Sequence, residues 1–540
     1  MRRGWIVVAV VAIVLVGAGG AFWFLRDRGP QENAERFLAA WTAGDYATVR
    51  SLTVDAPGDL DARLKKARED MNASGQRYEL ASVKDDRASF TARFTLAGNR
   101  EFGYTAALPV EKRDGEWRVV WTPALLYPGL KEGQRLRTAR AWPDRADVLA
   151  ADGTPLSGPG SAGQIAGRVG AIDAETAEKL GAPYKEGDPA GTDGLQQQFE
   201  RRLAGTPALA VQIVEGEGKV VKTVQRFGGK EGEPLKTTID ARAQRAASAA
   251  LADVDKNASL VAVRPSTGEI VAIANKPGGY NRALMGQYPP GSTFKVVTAA
   301  ALVADGLAAS TPVDCPATVT IGGRSFRNSE HEAFGRVPFR EAFAHSCNTT
   351  FAKLSTDRLD QARLAQVAQQ FGFGQPIIAG LPAVRGAFPA TKDATALAAA
   401  SFGQGEVLTS PLNMAGVAAA AASGTWRSPR VVDAKLVSEA ADTKGRKPQP
   451  PRELEPKVRR ALQTLMPAVV SEGTASGVDF PKGTAGKTGT AEYGSGENPP
   501  THGWFIGYKS DLAFAVIVES GGAGATSAAP AAATFLRAAT

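Results

Sequence analysis

The stretch YPPGSTFKVVTAAALVADG, from Tyr288 to Gly306, combines a turn, a serine and a lysine with a helix that is otherwise apolar. Two prolines and a glycine stand before Ser292, so the pattern predicts that a helix begins at this serine, at the positive end of the helix dipole. Lys295 follows three residues later, on the same face of the helix. The valine, alanine and leucine side chains that come next predict that the helix is buried together with the lysine amine.

Burial changes the chemistry expected of Lys295. An apolar environment disfavours the charged form of an amine, so the pKa of Lys295 is predicted to fall. A neutral amine can take the proton of a neighbouring serine hydroxyl, which activates a nucleophile without a histidine. The pattern Ser-x-x-Lys is loose on its own, because about one chance match is expected in a chain of this length at ordinary residue usage. The alternative is therefore a chance match around a structural lysine.

Two further patterns favour the catalytic interpretation. SCN at 346–348 follows a loop-rich interval, and KTGT at 487–490 lies much later in the chain. Each of the three patterns occurs once, in this order.

The composition limits the class of protein. A chain of 540 residues exceeds what one hydrophobic core usually organises, so two or three folded units are expected. Its 63 Lys and Arg residues against 55 Asp and Glu residues give a net charge of +8, without the basic and aromatic stripe typical of nucleic-acid binding. Two cysteines and three scattered histidines do not form a metal-ligand pattern. No nucleic-acid partner, metal ion or cofactor is predicted.

The N-terminus predicts the compartment. Residues Gly4 to Leu25 contain no charge and are long enough to cross a bilayer as one helix. A cleaved signal peptide is the alternative, although the apolar stretch is long for one and ends in a poor cleavage site. The arginines at positions 2 and 3 are expected to keep the short tail in the cytoplasm. The sequence therefore predicts a single-pass cell-membrane protein whose catalytic domain lies outside the cytoplasm.

Shifts in composition divide the chain into four parts. Residues 1–28 are predicted to form the cytoplasmic tail and the transmembrane anchor. Residues 29–128 start with a helical pattern and end in alternating strands, which is typical of a small α+β module. Residues 129–235 are rich in glycine and proline with short strand candidates such as ALAVQIVE, which indicates an extended, β-rich pedestal without catalytic residues. Residues 236–540 mix helices and strands and carry all three patterns.

Four longer blocks resemble one family, the class B penicillin-binding proteins, which are monofunctional serine D,D-transpeptidases of peptidoglycan synthesis. They are YPPGSTFK at 288–295, FGQGEVLTSPLNMA at 402–415, EGTA at 472–475 and AGKTGTAE at 485–492. The resemblance implies a multidomain α+β fold. Its C-terminal part would have the serine transpeptidase/β-lactamase-like fold, an antiparallel sheet flanked by helices, with an all-helical subdomain.

The rest of the chain resembles the same family. QENAERFLAAWTAGDY near the start and WTPALLYPGL at 121–130 are similar to the nuclear-transport-factor-like module of methicillin-resistance-type members. GLQQQFERRLAG at 194–205 is similar to the pedestal, often called a dimerisation domain. The resemblance implies stem peptides and β-lactam antibiotics as ligands and a glycan polymerase in the membrane as partner. A role in cell shape, in division or in antibiotic resistance stays open.

The resemblance also assigns the acylation chemistry. Ser292 would attack the carbonyl between the two terminal D-alanines of a stem peptide and hold the acyl group as an ester. Lys295 would be its base. Ser346 would pass a proton to the departing D-alanine, and Asn348 would hold the substrate amide and orient Lys295.

Substrate binding is assigned to the KTGT segment. Lys487, at a strand edge, would present positive charge to the terminal carboxylate, beside the hydroxyls of Thr488 and Thr490. Gly489 would leave room for the substrate to approach the strand. The backbone amides of Ser292 and Thr490 would form an oxyanion hole.

The sequence leaves alternatives open for the state of the two cysteines and for the class of activity. Cys315 and Cys347 either form a disulfide, which an extracytoplasmic location would allow, or remain two buried thiols. A D,D-carboxypeptidase would use the same residues with water as the acceptor, and a non-catalytic β-lactam sensor would only bind the antibiotic. A β-lactamase is disfavoured, because TSPLN at 409–413 lacks the glutamate that would activate a deacylating water.

Overall fold

A computed structural model describes most of the chain, namely residues 29–84, 87–158, 160–443, 445–496 and 498–540. The predicted transmembrane segment, Gly4 to Leu25, lies outside the described residues. Among the described helices, none combines the length and the apolar character that a membrane crossing requires.

In chain order, the α-helices of the described residues are α1 (Pro30–Ala43), α2 (Tyr46–Ser51), α3 (Leu60–Met71), α4 (Ser161–Ala166), α5 (Ala174–Leu180), α6 (Gly194–Gln198), α7 (Glu200–Ala204), α8 (Ala241–Ala252), α9 (Arg282–Met285), α10 (Lys295–Ala304), α11 (Phe339–Ala344), α12 (Asn348–Arg358), α13 (Gln361–Gln370), α14 (Ala394–Ser401), α15 (Pro411–Ser423), α16 (Pro456–Ser471) and α17 (Ala528–Ala539). Short 3-10 helices span Pro123–Leu125, Gly291–Phe294, Ser329–His331, Val437–Glu439 and Ala441–Thr443.

The strands, in the same order, are β1 (Thr53–Val54), β2 (Gly75–Lys84), β3 (Arg87–Leu96), β4 (Arg100–Arg113), β5 (Glu116–Val120), β6 (Gln134–Ala141), β7 (Val148–Leu149), β8 (Val169–Ala171), β9 (Pro189–Gly191), β10 (Ala208–Glu215), β11 (Lys219–Phe227), β12 (Leu235–Lys236), β13 (Ala258–Val263), β14 (Ile270–Lys276), β15 (Pro312–Cys315), β16 (Thr318–Ile321), β17 (Arg324–Arg327), β18 (Gly335–Pro338), β19 (Thr425–Trp426), β20 (Arg452–Glu453), β21 (Ala485–Glu492), β22 (Thr501–Lys509) and β23 (Leu512–Val518).

The N-terminal compact unit contains α1 to α3 and a five-stranded sheet in the order β1-β5-β4-β3-β2. Helix α1 starts with a proline in its first turn and ends at Gly44, whose φ of 77° is the left-handed conformation that glycine adopts readily at a helix C-terminus. Its apolar side buries Phe37 and Trp41, and the Trp41 ring stacks on Tyr78 of β2 with centroids 4.0 Å apart. The predicted order of helical pattern and then alternating strands is confirmed.

The same unit includes a second sheet, β11-β10-β6, built in part from residues 206–230. Strand β10 is the ALAVQIVE segment, the strand candidate of the sequence. Residues 144–205 of the predicted pedestal belong to the other compact unit. Compact units group segments in space, whereas the predicted boundaries divide the chain in sequence, so those boundaries stay a prediction.

The C-terminal compact unit is built around a five-stranded antiparallel sheet in the order β14-β13-β23-β22-β21. The hairpin β13-β14 lies near the start of residues 236–540, and the other three strands lie near the end of the chain. Nearly every residue of β13 and β23 is buried, as expected where helices cover both faces of a sheet. Strand β21, which carries the KTGT pattern, forms one edge.

Helix α10 lies in the interior of this unit. All residues from Lys295 to Val303 are buried, which agrees with the predicted apolar helix. Each valine or leucine buried in this way contributes about 1.5–3 kcal/mol relative to an exposed position.

The predicted all-helical subdomain also contains strands. Two small antiparallel sheets, β15-β18 and β16-β17, interrupt the helices between α10 and α11. The β16-β17 hairpin turns at Gly322 and Gly323, which have φ values of 58° and 82°. Two adjacent residues with positive φ are what a tight two-residue hairpin turn requires, so the GG pair explains this departure from the expectation.

Candidate active site

Ser292 lies in a 3-10 turn, Gly291–Phe294, and the α-helix itself begins one turn later, at Lys295. The predicted helix start at Ser292 is therefore too early. Gly291 has a φ of 54°, and a Cβ atom there would lie 2.6 Å from the carbonyl oxygen of Thr490. Its amide donates to the carbonyl of Gly403 at 2.9 Å. Only glycine fits this close approach, which sets the half-buried Ser292 beside strand β21.

The amine of Lys295 is fully buried and surrounded by acceptors. Its Nζ donates to the backbone carbonyl of Ser346 at 2.5 Å and to Oδ1 of Asn348 at 2.6 Å, and it lies 3.2 Å from the Ser346 hydroxyl. None of its hydrogen bonds within the described chain reaches Ser292. Burial, followed by the charge of Lys487, holds the pKa of Lys295 well below its ordinary value.

The hydrogen-bond partners of Lys295 suit a neutral amine. The side-chain amide of Asn348 donates through Nδ2 to the carbonyl of Arg327 at 3.0 Å, so its Oδ1 must face the lysine. This Oδ1 and the Ser346 carbonyl can only accept, and they take the two hydrogens of a neutral amine. The remaining lone pair is then free to accept from the Ser346 hydroxyl, so Ser346 lies within proton-transfer distance of Lys295.

Ser346 reaches the lysine through an unusual backbone conformation. Its φ is 58°, a region that residues other than glycine rarely adopt, and both its carbonyl and its hydroxyl contact the same amine. The next residue, Cys347, forms a disulfide with Cys315 of β15, with the two Cα atoms 6.1 Å apart. The disulfide ties the segment between Ser346 and Asn348 to the neighbouring strand.

Lys487 provides a second buried amine. Its Nζ donates to the carbonyl of Thr488 at 3.0 Å and lies 5.8 Å from the centre of the Phe343 ring. Burial lowers the pKa of Lys487 to about 7. Because its charge also lowers the pKa of Lys295, the two motifs that carry these lysines share one electrostatic environment.

Gly489 is packed against the protein itself. A Cβ atom at this position would lie 2.8 Å from Cγ2 of Thr293 and 3.0 Å from Cβ of Trp504. The glycine therefore allows strand β21 to lie directly against the turn that carries Ser292. This packing adds a second reason for glycine here, besides the predicted approach of a substrate.

The two threonines of the pattern differ in their surroundings. Thr490 is exposed, whereas Thr488 is 6% exposed and its Oγ1 lies 2.5 Å from Oγ1 of Thr474. Sequence reasoning assigns no role to Thr474, although it identifies the EGTA block that contains this residue. Nor does it identify Trp504, whose indole donates to the carbonyl of Pro289 at 3.1 Å and supports the turn before Ser292.

Family models match along most of the chain. The penicillin binding protein transpeptidase domain matches residues 258–537, which is more than half of the 540 residues. The NTF2-like N-terminal transpeptidase domain matches residues 29–134, and the penicillin-binding protein dimerisation domain matches residues 158–237. The three resemblances found in the sequence are thereby confirmed.

Two proteins with similar sequences are both named peptidoglycan D,D-transpeptidases. Peptidoglycan D,D-transpeptidase PbpA of Mycolicibacterium smegmatis is 32% identical over 349 residues, which cover 55% of this chain and 70% of that protein. Peptidoglycan D,D-transpeptidase MrdA of Acinetobacter baumannii is 28% identical over 432 residues, which cover 67% of this chain and 62% of that protein.

Solved structures show the same fold. A chain from a peptidoglycan synthase complex that coordinates polymerization and crosslinking aligns with a TM-score of 0.64 at 24% identity, over 75% of this chain and 92% of that one. The imipenem acyl-enzyme complex of penicillin-binding protein A from Mycobacterium tuberculosis aligns with a TM-score of 0.50 at 27% identity, over 57% of this chain and 80% of that one. The chain belongs to the penicillin-binding protein transpeptidase family, as a class B member with an NTF2-like N-terminal module.

Proposed function

We propose that this protein is a peptidoglycan D,D-transpeptidase that cross-links stem peptides through an acyl-enzyme on Ser292 and is acylated by β-lactams. One observation carries the residue assignment. A fully buried Lys295 amine, held by Ser346 and Asn348, lies one helical turn from a half-buried serine and shares its site with the cationic group of Lys487. A buried amine 3.2 Å from the Ser346 hydroxyl, with Ser292 three residues before it in the chain, supports nucleophilic catalysis by serine.

Acylation would begin with transfer of the Ser292 hydroxyl proton to Lys295. The serine oxygen attacks the carbonyl between the terminal D-alanines, and the amides of Ser292 and Thr490 stabilise the oxyanion. Removing one such donor in other serine enzymes costs about 3 kcal/mol of transition-state stabilisation. The contact between Gly291 and the Thr490 carbonyl supports this pairing, because it holds the two backbones side by side.

Collapse of the tetrahedral intermediate needs a proton on the departing amine. Ser346, 3.2 Å from Lys295 Nζ, would donate its proton to the nitrogen of D-alanine and recover one from the lysine. The C–N bond breaks, D-alanine leaves, and the acyl group remains as an ester on Ser292. An acceptor amine then attacks the ester carbonyl and loses a proton to Lys295. The bond between the acyl carbon and the Ser292 oxygen breaks as the new amide forms, and Lys295 returns the proton to the Ser292 oxygen.

Recognition of the donor would depend on its terminal carboxylate. Lys487 in its charged form, with the hydroxyls of Thr488 and Thr490, offers donors at the edge strand. Asn348 would hold the substrate amide while its Oδ1 keeps Lys295 in place.

Covalent labelling with a fluorescent penicillin tests the assignment of Ser292. The full chain should take up one label, and Ser292→Ala should take up none, because the ester oxygen is removed. Ser248→Ala, a change at an exposed serine on helix α8, is the matched control and should label like the unchanged protein. Labelling that persists in Ser292→Ala would move the nucleophile elsewhere.

Membrane anchoring through Gly4 to Leu25 is also part of the proposal, with catalysis outside the cytoplasm. The uncharged N-terminal stretch supports it, as does the Cys315–Cys347 disulfide, since such bonds persist in oxidising compartments. A membrane glycan polymerase is the inferred partner, because the similar synthase complex coordinates polymerization with crosslinking. The fluorescent label should sediment with membranes for the full chain and stay in the supernatant when residues 1–28 are removed.

A further inference from the structure

The turn between helix α16 and strand β21 is fixed to the segment before Ser346. The amide of Thr474 donates to the carbonyl of Ala344 at 3.1 Å, and a Cβ atom at Gly473 would lie 2.2 Å from that same oxygen. Glu472 forms an ion pair with Arg340 of α11. Backbone contacts and this ion pair therefore hold the turn in place without help from the Thr474 side chain.

The Thr474 side chain makes a different contact. Its hydroxyl lies 2.5 Å from the hydroxyl of Thr488, which is buried next to Lys487 in strand β21. A hydroxyl has one hydrogen to donate. If Thr488 donates to Thr474, it has none left for a ligand. If Thr474 donates to Thr488, the Thr488 hydrogen is free.

A bound carboxylate would select the second arrangement, because an ionised carboxylate only accepts hydrogen bonds. Hydrogen bonds to such a charged acceptor are also stronger than those between two neutral hydroxyls. The position of Thr474 therefore determines whether Thr488 can serve as a donor to an anion at Lys487.

We propose that Thr474 is a positioning residue for donor recognition: it donates to Thr488, so that Thr488 donates to the terminal carboxylate of the substrate. The proposal rests on the proposed function, since it needs a carboxylate at Lys487. Thr474 itself does not contact the substrate. Its effect is on binding of the carboxylate and not on the chemistry at Ser292.

Stopped-flow acylation by benzylpenicillin separates these effects, because it gives the dissociation constant of the non-covalent complex and the rate constant of acylation. Thr474→Val keeps the shape of the side chain and removes the hydroxyl. It should raise the dissociation constant about fivefold, the usual scale for losing one hydrogen bond between neutral groups, because Thr488 is no longer oriented by Thr474. The acylation rate constant should change less than about twofold. Thr474→Ser should restore the dissociation constant.

A double-mutant cycle tests whether Thr474 acts through Thr488. Thr488→Val should weaken binding at least as much as Thr474→Val, and the double variant should bind no more weakly than Thr488→Val alone. The proposal would be overturned if the dissociation constant of the double variant rose by the product of the two single-variant factors. An unchanged dissociation constant in Thr474→Val would overturn it as well.

Two control variants show whether a change in binding comes from the Thr474 hydroxyl or from altered folding. Thr464→Val, on the exposed face of helix α16, should leave both constants unchanged. Thr474→Ala provides a second test if Thr474→Val has a lowered melting temperature, and it should weaken binding by the same factor of about five. A wild-type protein that benzylpenicillin does not acylate would remove the proposed function and this inference together. If the wild type is acylated and Thr474→Val has the same dissociation constant as the wild type, this inference alone is overturned.

Discussion

At the scale of single residues, the proposed reaction depends on two buried lysines that must be in different charge states. Lys295 must be neutral to act as a base, whereas Lys487 must be charged to bind a carboxylate. Burial lowers the pKa of both, and Lys487 lowers that of Lys295 further. With a pKa of about 7, Lys487 is still partly charged near neutral pH, and an approaching carboxylate favours its charged form.

This arrangement predicts a pH dependence of donor binding. Because the folded-state pKa of Lys487 is about 7, its charged fraction falls as the pH rises through that value. The dissociation constant of the non-covalent benzylpenicillin complex should therefore rise, by up to about tenfold for each pH unit above 7. Stopped-flow measurements between about pH 5.5 and pH 8.5 give this constant.

Lys487→Arg is the matched variant for the pH experiment. Arginine stays charged throughout this range, so the variant should lose the pH dependence even if its absolute affinity is lower. A dissociation constant that does not change with pH in the unchanged protein would show that Lys487 does not titrate there.

The residues of the three motifs can be predicted from the sequence, but the contacts that surround them cannot. The patterns around Ser292, Ser346 and Lys487 can be read from the sequence because each pattern is local. In the structure Lys295 contacts Ser346 and Asn348, and the turn that carries Ser292 packs on the strand that carries Lys487, while the roles of these residues stay predictions. The positive φ of Ser346 and the contact between Thr474 and Thr488 depend on tertiary packing, and no local pattern encodes them.

At the scale of elements, the site is assembled from segments that are far apart in the chain. Strand β21 lies against the turn before α10 because Gly291 and Gly489 have no side chains to separate them. Strands β10, β13 and β14 are recognisable from their alternating or apolar residues. The hairpin β16-β17 is not, since its strands are only four residues long, and the 3-10 turn at Ser292 differs from a helix start by one turn.

The disulfide between β15 and the segment before α12 is expected to stabilise the site. It closes a loop with a sequence separation of 32, which corresponds to about 3 to 4 kcal/mol of unfolding free energy. The double variant Cys315→Ala/Cys347→Ala should lose about this amount in urea denaturation and should acylate more slowly, because Cys347 lies between Ser346 and Asn348.

Reduction offers an independent check of that prediction. The chain has two cysteines, so a reductant can act on this bond alone; because both cysteines are buried, it is added to the unfolded protein in urea before refolding. The reduced protein should match the double variant in stability. Equal stability of the oxidised, reduced and substituted proteins would contradict a stabilising role.

At the scale of the whole molecule, the sequence predicts the C-terminal fold and the family of all three regions. It does not predict which segments pack together. Residues 144–205 join the C-terminal unit, whereas residues 206–230 join the N-terminal one. Residues 206–230 do so because β10 pairs with β6, which lies far from it in the chain. Such long-range pairing has no signature in the local composition that defines the pedestal.

The central claim is that Ser292 forms an acyl-enzyme that an amine resolves into a cross-link. Mass spectrometry of the full chain with a peptide donor ending in D-alanyl-D-alanine, with and without an amine acceptor, tests it most directly. We expect an acyl adduct on the peptide that contains Ser292, and a new amide product when the acceptor is present. Hydrolysed donor alone would indicate a carboxypeptidase, and an adduct on another residue, or none at all, would contradict the claim.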